Sequence, residues 1–125
     1  MGITKKFFFD TYALYEIIVG NENYREYIKD IVVITTKLNL MELHYALLSK
    51  YGAKEADSFY DFLSKYAIDV SDDVIKVSNK WRAANKKKKY SYVDSIGYTL
   101  SRVMNAKFLT GDSQFRDVEN VEYVK

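Results

Sequence analysis

The stretch Ser91–Asp112, SYVDSIGYTLSRVMNAKFLTGD, decides the fold. It reads as a helix over 91–105, a turn, and a short buried strand over 107–110 that runs into Asp112. Ser91-x-x-Asp94 has the form of a capping box, with Asp where Glu or Gln is more usual. Gly97 lies one turn further on. Glycine weakens a helix by about 1 kcal/mol relative to Ala, and its expected reason here is close approach of the helix to a sheet. A helix feeding a buried strand, with a carboxylate at the start of one and past the end of the other, is an α/β unit. Its acids sit where the chain changes direction.

Working outward, the same alternation continues. Lys5–Phe9 is an apolar, aromatic run read as a central strand buried on both faces. Asp10-Thr11 stops it and caps a helix over 11–19, whose apolar face is Ala13, Leu14, Ile17 and Ile18 and whose end is Gly20-Asn21. A shorter helix is expected over 23–30, then a second buried strand, IVVIT, over 31–35. Leu38–Tyr51 is helical and stops at Gly52. Another helix covers 53–65, a short strand 67–70, and a helix capped by Ser71-Asp72 covers 73–85 with Val74, Val77 and Trp81 inward. Lys86–Tyr90 is a loop, 112–116 a turn and 121–124 a last strand. Strands alternating with helices predict a three-layer α/β/α sandwich with a central, mostly parallel sheet. At 125 residues this is a single domain over 1–125.

Composition excludes several chemistries. There is no Cys, so disulfides, thiolate metal sites and cysteine nucleophiles are out. A reducing, cytoplasmic setting fits. The apolar run near the N-terminus is too short for a signal peptide, and no run approaches the roughly 20 residues of a membrane span. The opening Met-Gly resembles the start of a myristoylation signal only weakly, and Thr4–Phe9 reads as strand instead. The net charge of +2 is unevenly spread. Residues 79–107 carry eight basic side chains against one acid, a net of +7; the remainder has eleven against sixteen, a net of −5. That polarity suits an acidic pocket beside a basic rim for a polyanion.

Four acids share a kind of position. Asp10 and Asp112 follow apolar strands, and in parallel α/β sheets binding sites form beyond the carboxyl ends of strands. Asp94 opens the helix of the first paragraph. Glu42 lies in an amphipathic helix among Leu38, Leu40, Met41 and Leu43, where a charge needs a partner. Each also has an ordinary explanation: a cap for Asp10, a solvated helix face for Glu42, a capping box for Asp94, a Gly-Asp turn for Asp112. Their common placement has none. Clustered carboxylates repel unless a cation compensates, and Mg²⁺ or Mn²⁺ is the natural one for an all-oxygen site.

Phe9-Asp10-Thr11-Tyr12-Ala13-Leu14, Leu40-x-Glu42-Leu43, Ser91-x-x-Asp94 and Leu109-Thr110-x-Asp112-x-x-Phe115 resemble the four acidic motifs of PIN-domain nucleases, most of all the VapC-type toxins of toxin–antitoxin pairs. The resemblance covers nearly the whole chain. It implies that Asp10, Glu42, Asp94 and Asp112 bind Mg²⁺ or Mn²⁺ for RNA hydrolysis and that Thr110 supplies a hydroxyl near the metal. It also implies a homodimer held by a VapB-type antitoxin. Asn39 stands where the family more often has Ser or Thr, and Tyr12 where it often has a small residue. Two other readings of the fold are a non-catalytic RNA- or protein-binding module and a phosphatase built on Asp10. The second lacks the further aspartate such a nucleophile usually has beside it.

The remaining candidates are peripheral. His44, the only histidine, points about 200° around its helix from Glu42 and is read as a surface or core-edge residue. Lys86, Lys87, Lys88 and Lys89 lead directly into the Asp94 helix and are candidate phosphate contacts, with Tyr90 and Tyr92 as candidate base-stacking rings. Arg102 is expected to meet a phosphate or a partner's carboxylate. Tyr24, Tyr27, Phe59, Tyr60 and Phe62 are candidate interface aromatics.

Overall fold

The computed structural model describes residues 5–125, so Met1–Thr4, including the proposed start of the first strand at Thr4, lie outside the described residues. Strand β1 (Lys5–Phe9) leads to helix α1 (Thr11–Ile18), a 3₁₀ segment (Glu22–Ile28) and β2 (Ile31–Ile34). Helices α2 (Lys37–Tyr51), α3 (Ala53–Leu63), α4 (Asp72–Ala84) and α5 (Tyr92–Val103) follow, then β3 (Lys107–Thr110) and β4 (Val121–Tyr123). The sheet order is β2-β1-β3-β4 and every described strand pairing is parallel.

Alternation along β1 builds both layers. Phe7 and Phe9 pack with Leu14, Leu40 and Leu47 on the α1–α2–α3 side. Phe8 packs with Phe108, Tyr98 and Phe115 on the α4–α5 side. Fully burying a phenylalanine of this kind contributes about 1.5–3 kcal/mol. Gly97 lets α5 lie against the sheet: a Cβ there would stand 2.7 Å from Phe8 Cε1 and 3.2 Å from Phe108 Cε1. The expected close approach is the observed one.

Several expectations are corrected. Ile31–Ile34, expected as a second buried strand, is an edge strand with Val32 41% exposed. The strand expected at 67–70 reduces to a single parallel bridge, Thr35 with Ala67. The segment after α1 is 3₁₀ rather than α-helical. Val77 faces solvent, and Ser78 takes the inward place on α4. Tyr24 and Tyr27 are core residues whose hydroxyls donate to the Val124 carbonyl and to Glu122. They supply no interface area; Phe62 is the exposed member of that set.

Candidate active site

With β1 flanked by β2 on one side and β3 on the other, the chain switches direction across the sheet between β1 and β3. This is where open parallel sheets form their crevice. Asp10 and Asp112 leave the two strands at that point. An open depression of about 330 Å³ lies there, lined by Asp10, Thr11, Tyr12, Asp94, Asp112 and Lys125 among others. Gly111 is a steric requirement of its floor: a Cβ would lie 2.5 Å from the Val124 carbonyl oxygen and closer still to the Tyr12 ring.

Each acid is anchored by a hydrogen bond, local for Asp10, Asp94 and Asp112 and between α1 and α2 for Glu42. Asp10 caps α1, its Oδ1 accepting from Ala13 N at 2.8 Å, while the Thr110 hydroxyl donates to Oδ2. Asp94 completes the capping box, with Oδ2 accepting from Ser91 N at 2.9 Å. Asp112 Oδ1 accepts from Gln114 N at 3.0 Å. Glu42 Oε1 accepts from the Thr11 hydroxyl at 2.6 Å. Glu42, Asp94 and Asp112 thus each keep one carboxylate oxygen without a hydrogen-bond partner among the described residues. The capping roles and the clustering are both real, and the caps aim the clustered groups.

Two of the acids, Asp10 and Asp94, sit where the charged form is disfavoured. Asp10 is 5% exposed. Burial pushes its carboxyl up to about 7, against the Thr110 and Ala13 bonds that favour the carboxylate, and the charges of Asp94 and Asp112 push the same way. Burial likewise raises Asp94, opposed by its bonds to Ser91 and reinforced by Asp112 and Glu42. Among the described residues no three acids converge closely enough to ligate one ion together. The donor set is nonetheless all hard oxygen. It fits a cation held directly by one or two carboxylates and by the others through water, the usual manner for Mg²⁺.

The PIN-domain family model matches residues 7–121. The chain belongs to the PIN-domain family. A search of curated protein sequences finds no match. Among solved structures, this PIN domain is similar to VapC20 of Mycobacterium tuberculosis, a toxin that cleaves the sarcin–ricin loop. The TM-score is 0.80 at 19% identity, covering 95% of this chain and 99% of that one. It is also similar to VapBC2 of Rickettsia felis bound to a promoter DNA fragment (TM-score 0.73, 20% identity, 96% and 99% covered). A toxin–antitoxin complex from Klebsiella pneumoniae is a third (TM-score 0.72, 17% identity, 92% and 94% covered).

Thr110 stands beside the acids but is fully buried: its hydroxyl donates to Asp10 and accepts from Asp112 N at 3.0 Å, linking the two strand ends. Other expected site residues of the PIN domain fall elsewhere. Arg102 faces a separate depression, with Nη1 3.2 Å from the Tyr98 hydroxyl and 3.8 Å from Glu119 Oε2. Tyr90 is a core ring, 4.7 Å from both Trp81 and Phe115, and offers no face to a base. His44 Nε2 lies 2.7 Å from Asp57 Oδ1, away from the acids, as expected. Reading the sequence missed Thr11 and Asn39 as supports: Asn39 is buried, and its Nδ2 donates to Thr11 Oγ1 at 3.2 Å. Thr11 follows Asp10 directly, and a hydroxyl beside a candidate acid was the available signal.

Proposed function

We propose that this PIN domain, acting as one unit over 1–125, is a Mg²⁺- or Mn²⁺-dependent endoribonuclease that hydrolyses RNA phosphodiester bonds. We further propose that it is the cytoplasmic toxin of a toxin–antitoxin pair. The observation that carries the reading is that Asp10, Asp94 and Asp112 line one open pocket at the switch point of the sheet, with the Glu42 charge felt at Asp94. A bound divalent cation there supplies Lewis acidity toward a phosphoryl oxygen and a lowered pKa for water.

The chain's own groups do the rest. Asp10 provides buried negative charge at the base of the pocket, held in place by Ala13 N and Thr110. The unpartnered oxygens of Asp94, Asp112 and Glu42 orient water for in-line attack on phosphorus and take one of its protons as the new P–O bond forms, while the ribose oxygen opposite leaves with the electrons of its own P–O bond and is protonated from bulk water. The proposed partners are an RNA substrate, a VapB-type antitoxin and a second copy of the chain. Toxin–antitoxin complexes among the similar structures support the antitoxin. Exposed Met41, Tyr45 and Phe62 offer apolar area to either protein partner.

The test is cleavage of single-stranded RNA in Mn²⁺. Asp94→Asn is expected to abolish it without unfolding the protein, because the Asn side-chain oxygen still accepts from Ser91 N. Undiminished cleavage by that variant, or by the wild type in excess chelator, sinks the mechanism.

A further inference from the structure

A second depression, about 690 Å³ and so about twice the acid pocket, lies between the end of α4 and the start of α5. Arg82, Lys86, Lys88, Lys89, Ser91 and Tyr92 line it, and no acid does. It shares a wall with the acid pocket. Ser91 lines the basic side, Asp94 lines the acidic side, and the two are joined by the capping box.

Its parts differ in how they are held. The Tyr92 ring is 64% exposed and rests on Arg82, whose Cζ is 4.3 Å from the ring centroid. Arg82 is itself fixed, Nε donating to the Tyr90 carbonyl at 2.8 Å. The loop is tied down by Lys89 N on Gln114 Oε1 at 2.8 Å and Lys88 Nζ on the Gln114 carbonyl at 3.1 Å. The amino groups of Lys86 and Lys89 have no hydrogen-bond or ion-pair partner among the described residues and are free to meet an anion. Lys87 does not line the depression.

We propose that this groove holds single-stranded RNA flanking the scissile phosphate, with one unpaired base stacked on Tyr92 and neighbouring phosphates on Lys86 and Lys89. The inference rests on the nuclease reading for the word scissile, and on the groove alone for the rest. A ring lying on an immobilised guanidinium is a stacking platform, and stacking needs a base free of its partner. Fixed backbone with free lysine ends suits a chain of phosphates. The shared Ser91–Asp94 wall places a strand in the groove next to the acids. An acidic peptide would use the lysines but has no need of an exposed aromatic face.

The experiment is fluorescence anisotropy of a short, labelled, mixed-sequence single-stranded RNA in excess chelator, across a salt series. Tyr92→Leu is expected to weaken binding about five- to a hundred-fold, and Tyr92→Trp to restore it. Replacing Lys86 and Lys89 together by Ser is expected to flatten the logarithmic salt slope by about 1.4, while Lys87→Ser leaves it unchanged. The assignment is overturned if the wild type does not bind, if Tyr92→Leu binds as tightly as wild type, or if Lys87→Ser flattens the slope as much as the pair. Equal affinity for duplex RNA, or displacement of RNA by an acidic peptide whose own binding needs Tyr92, overturns it too. Because binding is read without metal, these failures leave the nuclease reading standing. RNA that binds as expected yet is never cut in Mn²⁺ or Mg²⁺ removes the nuclease reading and keeps the groove.

Discussion

The Thr11 hydroxyl donates to Glu42 Oε1 at 2.6 Å, fixing a carboxylate of α2 to the first residue after Asp10. Asn39 holds the same hydroxyl from behind. Glu42 does not line the pocket of Asp10, Asp94 and Asp112; it is tied to that neighbourhood through Thr11. Supporting groups of this kind typically change metal affinity 10- to 100-fold. Thr11→Val is expected to weaken Mn²⁺ binding by about tenfold, read by calorimetry, and Thr11→Ser to recover most of it. Equal affinity in the Val variant would separate Glu42 from the site.

Thr110 serves stability more directly. Its hydroxyl satisfies Asp10 Oδ2 and Asp112 N at once, in a position with no exposure. Thr110→Val keeps the shape and strips both partners. A cost of about 1–3 kcal/mol follows for the unsatisfied groups. Urea denaturation should show it as a lowered midpoint with an unchanged slope, and Ser at this position should behave nearly as wild type.

The raised carboxyl of Asp10 makes the metal-free protein sensitive to pH in an unusual direction. The group ionises near 3.8 when unfolded and near 7 when folded. Between those values the folded state holds the extra proton, so stability falls as pH rises from about 4 to about 7 and then levels off. Asp94, also raised by burial, acts in the same sense. Asp10→Asn should remove most of the decline and leave the variant more stable than wild type above neutrality. Denaturation midpoints taken in chelator on either side of neutrality measure this; a wild-type stability that climbs through the window would contradict the assignment.

Gly97→Ala sets two effects against each other. The methyl favours the helix by about 1 kcal/mol. It also lands 2.7 Å from a fully buried Phe8 ring that stacks on Phe108, and overpacking of that sort costs about 1–3 kcal/mol. The clash should prevail, lowering the melting temperature. A gain in stability would mean that the two rings yield more easily than their packing implies.

Asp10, Asp94 and Asp112 were legible in the sequence because each ends or begins an element, and element ends are written in local residue types; Glu42, inside α2, stood out only by its apolar neighbours. Asp10 after FFF, Asp112 after FLTG and Asp94 after Ser91 all carry that signal. What packs against an element is not written locally. IVVI reads the same on an edge as in the centre of a sheet. Tyr90 and Tyr92 both follow the lysine run, yet one turns into the Trp81–Phe115 stack and the other lies on Arg82. Arg82 lay outside the expected contacts because its place beside Tyr92 depends on how α4 meets α5. Thr110 is legible as a hydroxyl near the site, but its bonds to Asp10 and to Asp112 N depend on how β1 and β3 lie side by side.

The central strand β1 has consequences for when the acid pocket can exist during synthesis. Its partner β3 is supplied roughly a hundred residues later in the chain, and the loop carrying Asp112 comes later still. A nascent chain that has reached only α4 owns Asp10 and Glu42, an open strand edge and half a sheet. It lacks Asp94, Asp112 and the Thr110 hydroxyl. Long-range pairing of this kind forms late, so the pocket is assembled only once the chain has been made through Asp112, and a product that ends with α4 lacks two of the acids that line it.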